Sequence, residues 1–168
     1  TRVRSSAASD VYKRQVHRYP LHACSKHGSP IYPTVDHLLT PLASQGLAQA
    51  TQPLVSLAHA HQIPLRVDEM NVTPCPQRAQ EMRAFAAALW APDVLFQMAR
   101  IGVDGVNVQT TTGGTQDLFT LEQAGGSWQA QVEPEYYGLL LFAQAAPAGS
   151  RLISLAQPPA PLLSLIHI

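Results

Sequence analysis

The sequence predicts an α/β chain, a partial (β/α)8 barrel, and two observations carry that expectation. Strand-like and helix-like stretches alternate three times along it, which implies βαβ units and a parallel sheet. Crossovers of this length fit either a (β/α)8 barrel or a doubly wound sheet. No glycine-rich phosphate loop opens any of the helical stretches, so the dinucleotide-binding version loses support and the barrel is favoured.

The elements follow in order. Residues 16–24 (VHRYPLHAC) read as a short strand running into a loop, 25–33, rich in Gly, Ser and Pro. A helical stretch opens at Thr34, a suitable N-cap, with Val35, Leu38 and Leu39 starting an apolar stripe that Pro41 interrupts. A second helix is predicted over 48–61, with Leu54, Leu57 and Ala58 on one face, Pro53 in its first turn and His61-Gln62 closing it. Residues 65–70 (LRVDEM) read as a strand and 71–77 as a loop. The next helix is predicted over 78–101, with Met82, Phe85, Ala86, Leu89, Trp90, Leu95, Phe96 and Ala99 at helical spacing. Pro92 is expected to kink or divide it, and Gly102 to cap it. Residues 105–110 form the third strand, and 119–132 are ambiguous, with a small hairpin around Gly125-Gly126 as one reading. Pro134 starts a final helix over 135–146, with 151–155 a candidate strand of a following β domain.

Bulk properties limit the function classes. A chain of 168 residues supports one modest core. Zero formal net charge and only 13% charged residues argue against a nucleic acid or an anionic membrane as partner. No apolar run approaches the roughly 20 residues that cross a bilayer. Cys24 and Cys75 fit either one disulfide or two thiols. The ends, SSAASDVYKRQ within 1–15 and LSLIHI at 163–168, resemble translated sequencing adapter at the edges of metagenomic fragments. Both are therefore expected to be non-native, with native sequence over about 16–162.

Glu69 is the sharpest chemical signal. It falls at the carboxyl end of a predicted strand, where barrel enzymes place catalytic groups. Strand alternation puts Val67 and Glu69 on one face, Arg66 and Asp68 on the other. The histidines do not suggest a metal: His17, His22 and His27 recur every five residues, and His59 and His61 do not face each other on a helix. Neither a metal nor any other cofactor is called for. Trp90 reads as core, while Trp128 falls in an undecided loop.

Three blocks in order, PLRVDEMN, FAAALWAPDVLFQMARIGVDGVN and VEPEYYGLLLFAQAAPAGSRL, resemble glycoside hydrolase family 79, the β-glucuronidase and heparanase-like enzymes. VHRYPLHAC is similar to that family's sixth barrel strand. The resemblance covers about 16–155 and implies the last three βα units of the barrel, followed by a β-sandwich. It implies a carbohydrate substrate, a β-linked sugar with β-glucuronides among the candidates, cleaved with retention by two glutamates. Glu69 matches the nucleophile of the seventh strand. Retaining enzymes hold their two carboxyl groups about 5–5.5 Å apart, and the nucleophile must stay ionised among hydrogen-bond donors. Tyr19 and His17, on the preceding strand, are candidate donors to Glu69 or the sugar. Asn71, Asn107 and Gln109 are candidate substrate contacts.

The family's Asn-Glu acid/base pair of the fourth strand does not occur in the chain. Glu81, Glu133 and Glu135 read as acids near helix starts. The chain alone is then expected to be inactive. Val72 stands where the family often has serine, Pro74 and Pro76 where glycines are expected, and Gln109 where an aromatic or His is common, all of which bear on the substrate. A non-catalytic, glycan-binding barrel relative is the alternative. A lysine-dependent lyase or aldolase has only Lys26, the one lysine of the expected native stretch and in a loop, to offer. The compartment is left open, a secreted or periplasmic location being compatible with the family.

Overall fold

A computed structural model describes residues 15–74, 83–111 and 116–153. The expectations for both ends, the helix start at 78, Met82, Glu81 and Cys75 lie outside these residues.

Three parallel strands, β1 (Gln15–Arg18), β2 (Arg66–Met70) and β3 (Gly105–Val108), form a sheet in the order β1-β2-β3. Helices connect them: α1 (Val35–Leu38) and α2 (Leu47–Ala60) between β1 and β2, then α3 (Phe85–Arg100) between β2 and β3. An antiparallel hairpin, β4 (Phe119–Ala124) and β5 (Ser127–Val132), precedes the last helix, α4 (Pro134–Ala145). The described strands do not close into a barrel.

Local chemistry accounts for most of the boundaries. The Thr34 hydroxyl accepts the His37 N–H at 3.1 Å and starts α1. Pro41 ends that stretch but also opens the next one, a π-helical turn at Leu42–Gly46 that runs directly into α2, because a missing N–H costs nothing in a first turn. Pro53 therefore lies in the interior of α2, not in its first turn as the sequence suggested. Gln62 closes α2 in the left-handed region at φ 58°, and Gly102 does the same for α3 at φ 86°.

The core lies on one face of the sheet. Val67, Met70 and Val72 pack with Ala87, Trp90, Ala91, Val94 and Met98 of α3 and with Leu21 and Leu38. The indole N–H of Trp90 donates to the Ala43 carbonyl at 3.0 Å. The buried stripe of α3 is rotated from the expected one: Phe85, Leu89 and Ala99 face solvent, and Val94 and Met98 are buried. Alanines at the contact let the helix approach the sheet closely.

Pro92 does not divide helix α3, which runs on through it from Phe85 to Arg100. Pro92 leaves the Ala88 carbonyl without its helical donor and crowds it. That carbonyl lies against Gly138 of α4, at a spot where any Cβ would collide with it. Gly138 thus leaves that carbonyl room. Phe96 and Phe142 complete the α3–α4 contact with ring centroids 4.9 Å apart.

The 119–132 stretch is a hairpin, with Gly125 and Gly126 both at positive φ in its turn. Its register puts Phe119, Leu121, Trp128 and Val132 on one face, and all four are exposed. Residues 151–153 carry no strand, and the remainder of that candidate strand lies outside the described residues.

Candidate functional site

Polar side chains gather on the sheet face opposite the helices, and an irregularity in β2 puts them there. Val16 pairs with Val67 and His17 with Glu69, so Asp68 is skipped. On the other side Val67 pairs with Val106 and Met70 with Val108, so Asp68 and Glu69 together oppose Asn107. One extra residue in β2 is a bulge, which breaks alternation and re-aims side chains. Val67 and Met70 are consequently both buried in the core, while Asp68 and Glu69 are both left partly exposed. The expectation that Glu69 shares the face of Val67, with Asp68 opposite, is corrected: regular alternation does not survive the bulge.

Glu69 meets two groups from β1 and the segment after it. The Tyr19 hydroxyl donates to Glu69 Oε1. His17 Nδ1 lies 3.5 Å from Glu69 Oε2. Burial, then the hydrogen bond to Glu69 and the carboxylate's charge, push the Tyr19 phenol well above its ordinary value of 10.0. Tyr19 is thus a donor at any ordinary pH, and the carboxylate is held at one oxygen. Arg18, between the two, turns to the helix side, where its Nε donates to Thr51 Oγ1 at 2.9 Å.

Below Glu69 runs a polar ladder. Arg66 Nη2 donates to Asn107 Oδ1 at 2.8 Å, and Asn107 Nδ2 donates to Asp68 Oδ1 at 2.9 Å. Gly105 makes the ladder possible, since a side chain there would occupy the space of the Arg66 guanidinium. Asn107 is exposed.

Asn71 is different. It was expected at the substrate, yet it is fully buried. Its Oδ1 accepts the Val72 N–H at 2.6 Å, and its Nδ2 donates to the Gln109 carbonyl at 2.6 Å. Gln109 also donates its N–H to the Met70 carbonyl at 2.9 Å, so its backbone, at least, belongs to the wall. A short polar residue just past a strand satisfies backbone groups left over where the ladder ends.

Sequence reading missed Glu135. An acid beside a proline at a helix start reads as a partner of the helix dipole. Instead its side chain points inward, 1% exposed, with Oε2 3.4 Å from Asn71 Nδ2. Only the neighbouring Tyr-Tyr-Gly-Leu-Leu-Leu-Phe run, apolar all round, hints that this helix start is buried. Glu133 is the N-cap residue, but its side chain makes no cap hydrogen bond; it is buried, with Arg83 Nε 3.7 Å from Oε1.

The arrangement presents one carboxylate at the carboxyl end of the middle parallel strand, aimed away from the core and fixed by a phenol. Such a group can act as a nucleophile or a base toward a ligand lying on the open face. No protein-family model matches the chain, and no curated protein matches it as a relative.

Proposed function

We propose that this chain supplies the last three βα units of a (β/α)8 barrel in a retaining glycoside hydrolase of the family 79 type, with Glu69 as nucleophile. The observation that carries the proposal is the pairing of Glu69 with Tyr19 at the carboxyl end of the sheet, the end where barrel enzymes react. Three parallel strands in sequential order, with helices on one face and polar groups on the other, suit an arc of such a barrel.

In this reading Glu69 attacks the anomeric carbon of a β-linked sugar, a β-glucuronide being the favoured class. The glycosidic bond breaks as a second carboxyl, from an upstream strand, protonates the leaving oxygen. Water then attacks the glycosyl ester, the second carboxyl takes its proton, and Glu69 leaves as carboxylate. Tyr19 keeps one oxygen of Glu69 fixed, so the other is free to attack. His17 and Asn107 contact the sugar.

Trapping with 2-deoxy-2-fluoro-β-D-glucuronyl fluoride tests this, because fluoride departs without acid assistance. In the full chain with its upstream strands, one glycosyl adduct is expected on Glu69, and none in Glu69→Gln. An adduct that survives this substitution, or that maps to another residue, sinks the assignment. A barrel that binds β-glucuronides without ever forming an adduct would be the non-catalytic relative.

A further inference from the structure

We propose that Glu135 is a positioning residue for the strand end that carries Glu69, acting through Asn71; its effect on reaction rests on Glu69 being the reacting carboxylate. An acid at the second position of a helix can satisfy itself in water and in the field of the helix N-terminus. Glu135 keeps its place in the first turn but forgoes water. It is 1% exposed, and its Oε1 is buried without a hydrogen-bond partner among the described residues. Its other oxygen, Oε2, accepts from Asn71 Nδ2 at 3.4 Å.

Asn71 is the hub that gives this contact its meaning. Its amide ties the chain leaving β2 to the Gln109 carbonyl just past β3. Through Val72, whose carbonyl accepts the Leu21 N–H at 3.2 Å, it also reaches the chain leaving β1. Gln109 takes one hydrogen of Asn71 Nδ2, and Glu135 faces the same nitrogen as acceptor for the other. With an acceptor on α4, Nδ2 and Oδ1 cannot exchange places without two carbonyl-type oxygens meeting. Asn71 stands two residues beyond Glu69, so the orientation of its amide constrains the backbone that aims Glu69. Burial pushes the Glu135 carboxyl up to about 7, which is the expected cost of keeping an acceptor in so dry a place.

The test compares Glu135→Gln, which keeps an acceptor oxygen, with Glu135→Met, which keeps the volume but removes it. In the first arm, amide hydrogen exchange of Val72 and Gln109 is expected to rise about tenfold in Glu135→Met and to stay near wild type in Glu135→Gln. In the second, the maximal rate of Glu69 trapping by the glucuronyl fluoride is expected to fall about tenfold in Glu135→Met, with half-saturation unchanged, and to recover in Glu135→Gln. Gly138→Ala, on the same helix but facing Ala88 and Pro92, is the control: it should lower stability and leave the trapping rate alone. Unchanged exchange in Glu135→Met overturns the proposal, as does a trapping rate that falls equally in Gly138→Ala. Wild-type protein that is never trapped refutes the glycosidase reading instead, and the exchange arm then decides Glu135 independently.

Discussion

Tyr19 and Glu69 lie 50 residues apart in sequence and share a hydrogen bond across neighbouring parallel strands, phenol to carboxylate. The bond needs three things at once: a strand pairing that sets His17 beside Glu69, a bulge that turns Glu69 out of the core, and a tyrosine just beyond β1.

Tyr19→Phe tests what that bond does for reactivity. Hydrogen bonds to charged groups contribute about 1.5–3 kcal/mol, which corresponds to roughly 10- to 100-fold in rate if the bond acts in the transition state. The expected outcome is a loss of that size in the rate of Glu69 trapping, with little change in half-saturation. A variant that reacts at the wild-type rate would reduce Tyr19 to packing.

Much of this site was legible because it depends on local rules. A strand ending in an acid, a threonine N-cap and a glycine at a helix end each announce themselves within a few residues, and Thr34 and Gly102 do what their types predict. Tyr19 was legible because it stands close to the end of the strand that precedes Glu69. The bulge at Asp68–Glu69 was not legible, since an extra residue shows only against the register of two other strands. Asn71 and Glu135 were misread for a related reason. Polarity suggested exposure, but each is buried by elements distant in sequence.

Glu135 should make stability depend on pH. Its carboxyl titrates at about 7 in the folded chain, against an ordinary 4.5, with burial the main cause and the Asn71 contact opposing it. Between those values the folded state holds a proton that the unfolded state has released. Stability therefore falls as pH rises from 4.5 to about 7, by on the order of 3 kcal/mol, and is flat in this respect outside the window. Urea titrations across pH should show that slope in wild type and its loss in Glu135→Gln, the variant becoming the more stable above pH 7. A difference between the two that does not vary with pH would contradict the burial argument.

The contact between Gly138 and Ala88 sets up an asymmetric pair of substitutions. Gly138→Ala drives a methyl into the Ala88 carbonyl and against Pro92, and overpacking of this sort costs about 1–3 kcal/mol. Pro92→Ala gives that carbonyl back its helical N–H and frees the space beside Gly138. The double variant should then regain part of the loss, in a cycle whose coupling is measurable by thermal melting. Strict additivity would show that Pro92 and Gly138 accommodate each other only by chance.

Open surfaces dominate what the chain should do alone in solution. Strands β1 and β3 each pair only with β2 among the described residues, leaving a row of backbone donors and acceptors on either side. Helix α4 exposes Tyr137, Leu140 and Leu141, and the hairpin exposes Phe119, Leu121 and Trp128, the last by 71%. A two-stranded hairpin needs its apolar face covered to be stable, and contiguous apolar patches of this kind mark contact surfaces or aggregation sites. The chain is expected to self-associate or to bind 1-anilinonaphthalene-8-sulfonate strongly, and Leu121→Lys with Trp128→Lys should reduce both. Sedimentation and thermal melting decide the matter: a monomer with a sharp, cooperative transition and no dye binding would mean that these faces need no cover, and would remove one support for placing them inside a larger barrel.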